Sequence, residues 1–154
     1  MDPADLLAPL VGQREETLRV LDGLSEADLD RRHESGRTVR DILAHIAAAE
    51  LGEAFFIRRS ASGEVIQMTP EDRDRFNDDE MGKAAGWDLD RLRVELADAR
   101  DTLLEVFGEL EEDHLDRQIR WPEWPARTIR ASIPYMLEHE DAHVDEVRAA
   151  LDLT

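Results

Sequence analysis

The sequence predicts an all-α protein: a four-helix bundle with one short extra helix in the connection between the second and third long helices. Three observations support this fold class. Four long stretches repeat apolar residues at three- and four-residue steps, residues that cap helices precede them, and no stretch alternates apolar and polar residues as a strand would. The 154 residues suit one hydrophobic core, so we expect a single domain over residues 1–154.

The first long helix is predicted to begin at Asp2, a good N-cap residue, with Pro3 at its first helical position. Gly23 is expected to end it, because glycine is common just past a helix. A short helical turn is predicted after Ser25, and residues 33–36 are typical of a loop. The apolar face of this first helix is predicted to carry Leu7, Leu10, Val11, Leu18 and Leu21.

Thr38 is the predicted cap of the second long helix, which we expect to run to about Arg59. The connection that follows is weakly patterned. It holds the predicted short helix, capped by Thr69 with Pro70 at its first position and running past Phe76. The inward face of the second helix is predicted to carry Val39, Ile42, Ile46, Ala49 and Phe56.

Asp88 is predicted to cap the third long helix, and Thr128 the fourth, which runs almost to the C-terminus. Residues 120–125 contain two prolines and cannot lie in a helix interior. Pro134 falls inside the predicted fourth helix, where a kink is expected. The inward faces are predicted to carry Leu89, Leu92, Leu96, Ala99, Leu103, Val106 and Leu110 on the third helix, and Ile129, Ile133, Met136, Val144, Val147 and Leu151 on the fourth.

The composition narrows the classes of partner. The net charge is −18, with 37 acidic against 19 basic residues, so phosphate backbones and anionic lipid surfaces would be repelled. We therefore expect a small-molecule substrate, and neither nucleic acid nor membrane as a partner. There is no cysteine and no pattern typical of a signal peptide, which excludes a thiolate ligand or a cysteine nucleophile and agrees with a cytoplasmic protein. The sequence leaves the oligomeric state open, a homodimer included.

Three of the five histidines form a candidate metal site. His139 and His143 stand four residues apart, so both imidazoles lie over one patch of the last helix. His45 lies mid-way along the second helix, at the edge of its apolar face, and facing helices of a bundle can converge on one ion. Three imidazoles leave coordination positions open, as a catalytic metal needs, and suit zinc, nickel, copper or iron. The alternative is that these histidines are packed or solvated, as we expect for His33 and His114.

The stretch from His139 to His143 also matches the H-E-x-x-H pattern of zinc peptidases. A peptidase is not expected, because only eleven residues follow His143 to supply a third ligand and no strand pattern is present. Glu140 is the candidate catalytic residue: it could orient a ligand, act as a base, or pair with an inward arginine such as Arg14. Glu53 also falls on an inward face, but about 12 Å beyond the histidine of its helix, and we expect a solvated carboxylate at the bundle mouth.

Two short motifs carry a resemblance to a known family. Residues 38–46 (TVRDILAHI) resemble the second-helix motif of the DinB-like (YfiT-like) superfamily of metalloenzymes, and residues 135–143 (YMLEHEDAH) resemble its last-helix motif. The resemblance implies a four-helix bundle and one divalent metal ion, often zinc or nickel, held by His45, His139 and His143. Several members are transferases or isomerases that use a low-molecular-weight thiol, whose thiolate the metal stabilises. Many members carry a tryptophan just before the second helix, where this chain has Gly36 and Arg37, so we expect the helix entry to pack differently.

Three functions are compatible with these observations. The first is a metal-dependent enzyme that adds a low-molecular-weight thiol to an electrophilic small molecule. The second is a metal-dependent hydrolase in which water is activated at the metal and Glu140 serves as base. The third is a non-enzymatic metal-binding or stress protein. Under the first two, Trp121 or Trp124 is predicted to lie at the mouth of the metal site, where exposed aromatic rings can form a substrate wall.

Overall fold

The computed structural model describes residues 3–152, which are largely helical. The helices are α1 (Pro3–Leu6), α2 (Ala8–Asp22), α3 (Val39–Ala61), α4 (Pro70–Ala84), α5 (Leu89–Gly108) and α6 (Ser132–Ala150), with short 3₁₀ helices at Glu26–Asp30 and Glu112–Asp116 and strands β1 (Gln118–Ile119) and β2 (Arg127–Thr128). The predicted all-α class and the four-helix bundle, formed by α2, α3, α5 and α6, are confirmed. Within the described range, no helix is long and apolar enough to cross a membrane.

The four long helices do not follow one another around the bundle in chain order. Helix α2 packs against α5 and α6, and α3 packs against the same two helices. The order around the bundle is therefore α2, α5, α3, α6, with α2 diagonally opposite α3. Helix α4 packs against α3. This arrangement brings α6 beside α3, which is what places the histidines of these two helices together.

The predicted starts of the second, extra and third helices are confirmed by their caps. The hydroxyl of Thr38 accepts a hydrogen bond from the backbone N–H of Asp41 at 3.1 Å, and the Asp41 carboxylate accepts one from the N–H of Thr38 at 3.0 Å. Thr69 forms the same capping box, and the Asp88 side chain caps α5. Helix α4 has 15 residues and is longer than expected, since its buried residue, Ala84, leaves little apolar periodicity to detect.

The predicted first helix is divided in two. Helices α1 and α2 are separated at Leu7, whereas the sequence predicted one continuous helix from Asp2, which itself lies outside the described residues. The physical reason is Pro9, which stands in the first turn of α2 and has no N–H to donate to the preceding turn. The predicted end is confirmed, because Gly23 caps α2 and its N–H donates to the carbonyl of Val20 at 3.2 Å.

The last helix begins later than predicted. It starts at Ser132, and Thr128 instead lies in β2, where its hydroxyl accepts a hydrogen bond from the N–H of Ala131 at 3.1 Å. The strand pair was not predicted, because two residues are too few to show alternation. Pro134 is the third residue of α6, where an N–H has no partner within the helix, so the expected kink has no cause there.

The core consists of two apolar clusters, and a set of buried charged side chains lies between them. Each long helix contributes one charged residue between them, and these side chains are only 2–5% exposed: Arg14, Glu50, Arg100 and Glu140. On α2, for example, Leu10 belongs to one cluster and Leu21 to the other, with Arg14 between them. We call these four residues the ionic layer.

Candidate metal centre

Three imidazoles meet where α3 lies beside α6. His45 comes two turns into α3, and His139 and His143 are successive turns of α6. One ring nitrogen from each residue lies within 4.8 Å of the other two. The Nε2 atoms of His139 and His143 are 3.2 Å apart, and the His45 ring is centred 4.8 Å from the His143 ring. The structure thus brings together the three residues that the sequence singled out as ligands.

This geometry fits one divalent ion. A tetrahedral zinc ion with zinc–nitrogen bonds of about 2.05 Å spaces its nitrogen ligands about 3.3 Å apart. The separation of His139 and His143 matches that edge, and the nitrogen of His45 lies within 4.8 Å of both, so it would need to move by at most about 1.5 Å. Three nitrogen donors that are partly buried suit a borderline metal such as zinc or nickel.

The surroundings keep two of the imidazoles neutral. Burial lowers the pKa of His45 from 6.5 to about 3, and electrostatic interactions with His143, His139 and Arg37 add to the effect. Burial, followed by His143, lowers the pKa of His139 from 6.5 to about 4, against an opposing effect of Glu140. Both are uncharged at neutral pH, which is the form that binds a metal ion.

A carboxylate that sequence reasoning missed lies behind His143. Oε1 of Glu146 is 3.3 Å from Nδ1 of His143, although the angle is not that of a hydrogen bond. Ligand histidines commonly place a carboxylate against the nitrogen that does not face the metal, which fixes the ring and its tautomer. The signal was available, because Glu146 follows His143 by three residues on the same helix.

The carboxylate of Glu140 is fully engaged in the ionic layer. Its Oε1 accepts hydrogen bonds from Nε of Arg14 at 3.0 Å and from a guanidinium nitrogen of Arg100 at 3.3 Å. Its Oε2 accepts one from the hydroxyl of Thr17 at 3.0 Å. Of the three roles considered for Glu140, the structure therefore shows the pairing with Arg14.

The other acid of the ionic layer is paired in the same way. Nε of Arg100 donates to Oε1 of Glu50 at 2.7 Å, and a nitrogen of Arg14 lies 3.0 Å from Oε2. Each guanidinium also donates to a backbone carbonyl, that of Leu96 for Arg14 and that of Leu10 for Arg100. Two positive and two negative charges balance, as a buried cluster requires. Burial nevertheless raises the pKa of Glu50 above its ordinary range.

The imidazoles open into a large cleft. Its volume is about 940 Å³, and its lining includes all three histidines of the centre. Both Trp121 and Trp124 line it, so the prediction that a tryptophan of this loop lies at the mouth of the site is confirmed. Six of the eight aromatic residues of the chain line this one cleft, namely Phe55, Phe56, Phe76, Trp121, Trp124 and Tyr135.

Glu53 is not the solvated carboxylate that the sequence led us to expect. It is 8% exposed, and one of its oxygens pairs with the guanidinium of Arg127. Burial raises the pKa of Glu53, and Arg127 acts in the opposite direction. The sequence offered no sign of this pairing, because Arg127 lies in β2, far along the chain. Beside Glu53 lies a small cavity of about 40 Å³, whose lining includes Tyr135 and His139 of the cleft and Glu50 and Glu140 of the ionic layer.

The two remaining histidines lie apart from this centre. Nδ1 of His33 is 2.9 Å from the hydroxyl of Ser35, and Nδ1 of His114 accepts a hydrogen bond from the backbone N–H of Glu111 at 3.0 Å. Both contacts are local, since they join residues two and three positions apart in the chain. Across residues 3–152, the group of side chains that could hold a metal ion is His45, His139 and His143.

Comparison with known proteins connects this geometry to a family. The sequence profile of the DinB superfamily matches residues 9–147. No curated protein matches the chain. Among solved structures, YfiT from Bacillus subtilis, described as a probable metal-dependent hydrolase with an unusual four-helix bundle topology, is 16% identical with a TM-score of 0.77. That match covers 99% of this chain and 89% of YfiT.

A second solved structure is a larger protein. The mycothiol-dependent maleylpyruvate isomerase is 15% identical with a TM-score of 0.80, and the match covers 96% of this chain and 61% of the isomerase. The chain thus spans about three fifths of that relative's length. At sequence identities of 15% and 16%, these two matches show only that the chain shares the fold of both proteins.

Proposed function

Since the chain belongs to the DinB superfamily, we propose that it is a metal-dependent enzyme that transfers a low-molecular-weight thiol to an electrophilic small molecule. The observation that carries the proposal is the set of three converging imidazoles at the floor of an open aromatic cleft. His45, His139 and His143 would hold one divalent ion, zinc or nickel. When bound, the ion supplies positive charge that lowers the pKa of a thiol to give a nucleophilic thiolate at neutral pH.

The thiol has to come from a second molecule. The chain contains no cysteine, so no side chain can supply the sulfur nucleophile. A cleft of about 940 Å³ is large enough for a thiol and an electrophile together, because pockets for single drug-sized ligands begin at about 300 Å³. The name of the similar isomerase, which depends on mycothiol, supports the same class of cofactor.

In this proposal Glu140 is a positioning residue and not a base. A base must accept a proton, and both oxygens of Glu140 already accept hydrogen bonds from Arg14, Arg100 and Thr17. Because Glu140 follows His139 directly on α6, its fixed carboxylate holds this part of the helix in place. The aromatic side chains of the cleft, such as Tyr135 stacked 6.1 Å from the His139 ring, would exclude water from the reacting thiol.

A second candidate function is hydrolysis, in which water takes the place of the thiol. One observation favours it: Oε2 of Glu53 is buried and has no hydrogen-bond partner among the described residues, beside the small cavity that it shares with His139. Glu53, not Glu140, would then be the base. The description of YfiT as a probable metal-dependent hydrolase supports the same candidate.

One set of assays separates these candidates. Zinc- or nickel-loaded protein is incubated with an α,β-unsaturated carbonyl compound or an ester, each with and without glutathione, bacillithiol or mycothiol. Turnover that requires a thiol and disappears in the His143→Ala variant supports thiol transfer. Ester turnover without a thiol, lost in Glu53→Gln, supports hydrolysis instead. Metal-loaded protein that turns over neither class of substrate would contradict both and leave a non-enzymatic binding protein.

A further inference from the structure

The wall of the cleft contains one guanidinium that no carboxylate neutralises. Arg37 lines the cleft together with His45, His139 and His143. It is half-buried, and its side chain has no hydrogen bond or ion pair to any residue in the range 3–152. In a chain with 37 acidic residues, an arginine that faces a cavity without a carboxylate is unusual. Its fork of N–H donors is therefore free to bind an anion in the cleft.

The other charges of the wall are already balanced. Arg73 pairs with the neighbouring carboxylate of Asp74 at 3.4 Å, and Arg127 pairs with Glu53. The remaining lining carboxylate, Glu80, is paired at 2.9 Å with Lys83 one turn away on α4. The lining holds as many arginines as carboxylates. Because Glu80 is paired with Lys83, which is not a lining residue, Arg37 is the lining charge left without a partner among the described residues.

Arg37 also lies close to the metal centre. Its charge disfavours the protonated forms of both His45 and His139, so the guanidinium is within electrostatic range of the two imidazoles. An anion bound to Arg37 would be held beside the reacting centre. The capping box at Thr38 fixes the backbone directly after Arg37, so the side chain starts from a rigid point.

The remainder of the cleft suits a planar apolar body. The aromatic rings contact one another edge to face in a row, with centroids 5.6 Å apart for Phe56 and Trp121 and 6.2 Å apart for Trp121 and Trp124. Phe55, which also lines the cleft, is 51% exposed. An unsaturated or aromatic group of a ligand packs against such rings either offset-stacked or edge to face.

We propose that Arg37 selects the electrophile by its carboxylate: the substrate class is a planar, unsaturated or aromatic monocarboxylate, whose anion binds Arg37 and whose body lies against the row of Phe56, Trp121 and Trp124. This inference rests on the proposed function, since it names the substrate of the same site. One carboxylate matches one guanidinium, which binds it through two parallel hydrogen bonds. The net charge of −18 would repel anions from the rest of the surface, so only a cation in the cleft can hold one there.

The test compares a charged probe with its neutral isostere. Naphthoate and naphthamide are titrated into zinc-loaded wild-type protein, Arg37→Gln, Arg37→Lys and Arg19→Gln, and binding is followed by calorimetry. We expect wild-type protein to bind naphthoate more tightly than naphthamide, and Arg37→Gln to weaken naphthoate binding about tenfold or more while leaving naphthamide unchanged. Arg37→Lys should retain part of the affinity. Arg19→Gln, which removes the same charge from an exposed arginine of α2, should behave like wild type.

Two further arms keep this inference separate from the proposed function. In metal-free protein, an Arg37-dependent preference for naphthoate should persist, so it can be measured even if no thiol transfer is found. Dependence on the metal with no effect of Arg37→Gln would show that the carboxylate binds at the metal and would overturn the inference.

Glutathione, which also carries carboxylates, is titrated in the same variants. If Arg37→Gln weakens the binding of glutathione but not that of naphthoate, Arg37 binds the thiol compound, and the inference is likewise overturned. Circular dichroism melting of each variant checks that the bundle is folded.

Discussion

Glu140 follows His139 directly in the chain, yet its carboxylate accepts a hydrogen bond from Nε of Arg14 at 3.0 Å, on a different helix of the bundle. The residue beside the candidate metal ligand is thus an acceptor in the ionic layer. Its H-E-x-x-H sequence context suggests a catalytic base, whereas its contacts join its own helix, α6, to both α2 and α5.

Replacing Glu140 with glutamine is expected to cost stability more than metal binding. The change leaves Arg14 and Arg100 with one carboxylate between them, and an uncompensated buried charge costs about 3–5 kcal/mol. Urea denaturation of metal-free protein measures this loss. Glu138→Gln, an exposed position on the same helix, is the control and should change the free energy of unfolding by less than about 0.5 kcal/mol. A stable Glu140→Gln protein that has lost all turnover would instead indicate a base.

Removing one imidazole is expected to abolish tight metal binding without unfolding the bundle. His143→Ala leaves two ligands, whereas the apolar clusters that hold the helices together do not include His143. Elemental analysis and zinc titration should show loss of about one equivalent of metal, and circular dichroism should show a folded helical protein. His45→Ala should behave alike, because the centre bridges α3 and α6.

The same measurement on His33→Ala and His114→Ala provides the controls, since both residues make only local contacts among the described residues. Retention of full zinc affinity by His45→Ala would mean that the ligands do not come from two helices. Unfolding of His143→Ala would mean either that the ion is structural or that the histidine is a core residue.

Stability of the metal-free protein is expected to fall as the pH drops below about 6.5. The pKa of His45 is about 3 in the folded protein against 6.5 when the residue is solvated, and that of His139 is about 4. Below 6.5 the unfolded chain takes up protons that the folded protein does not, so unfolding becomes easier as the pH falls toward the folded values. His45 contributes a slope of up to about 1.4 kcal/mol per pH unit to the free energy of unfolding. Urea denaturation between pH 7 and 5 measures how the free energy of unfolding depends on pH, in the wild-type protein and in His45→Gln. The variant should show a weaker dependence. An equal slope in the two proteins would refute the lowered pKa of His45.

The tryptophans of the cleft are expected to report ligand binding. The chain has three tryptophans, and Trp121 and Trp124 line the cleft whereas Trp87 packs against one apolar cluster. In a Trp87→Phe protein, fluorescence comes from the two cleft residues and should change when naphthoate binds. The matched protein with both Trp121 and Trp124 replaced by phenylalanine retains Trp87 and should give no change. The opposite pattern would place the ligand elsewhere.

Sequence reasoning recovered the helices and the histidines because both leave periodic signals. The apolar faces repeat at helical spacing, the caps at Thr38, Thr69 and Asp88 mark helix starts, and the four-residue step from His139 to His143 fixes their common face. Their coming together with His45 was anticipated from the place of His45 at the edge of an apolar face of the bundle, and the family resemblance implied the same three residues.

Half of the ionic layer was anticipated, since Glu140 was considered as a partner of Arg14, but the signal at Arg100 was not used. Arg100 stands between Leu96 and Leu103, at a step that continues the apolar face of α5, and both neighbours are fully buried. A charged residue at such a position has two explanations: it is buried with a partner of opposite charge, or the apolar face is interrupted there. The periodicity of the sequence alone does not distinguish the two. The pairing of Glu53 with Arg127 had no such signal, because it joins residues 74 positions apart.

The ionic layer also has a mechanical consequence: it fixes how far each helix is displaced along the bundle axis. Apolar faces tolerate sliding, since one leucine can replace another as a neighbour after a shift of one turn, about 5.4 Å. The four charges of the ionic layer neutralise one another at one level along the bundle axis, so they do not tolerate such sliding. A slip of α6 past α3 would separate Glu140 from its guanidiniums and carry His139 and His143 away from His45 by the same amount. The ionic layer therefore holds the three imidazoles at one height along the bundle axis.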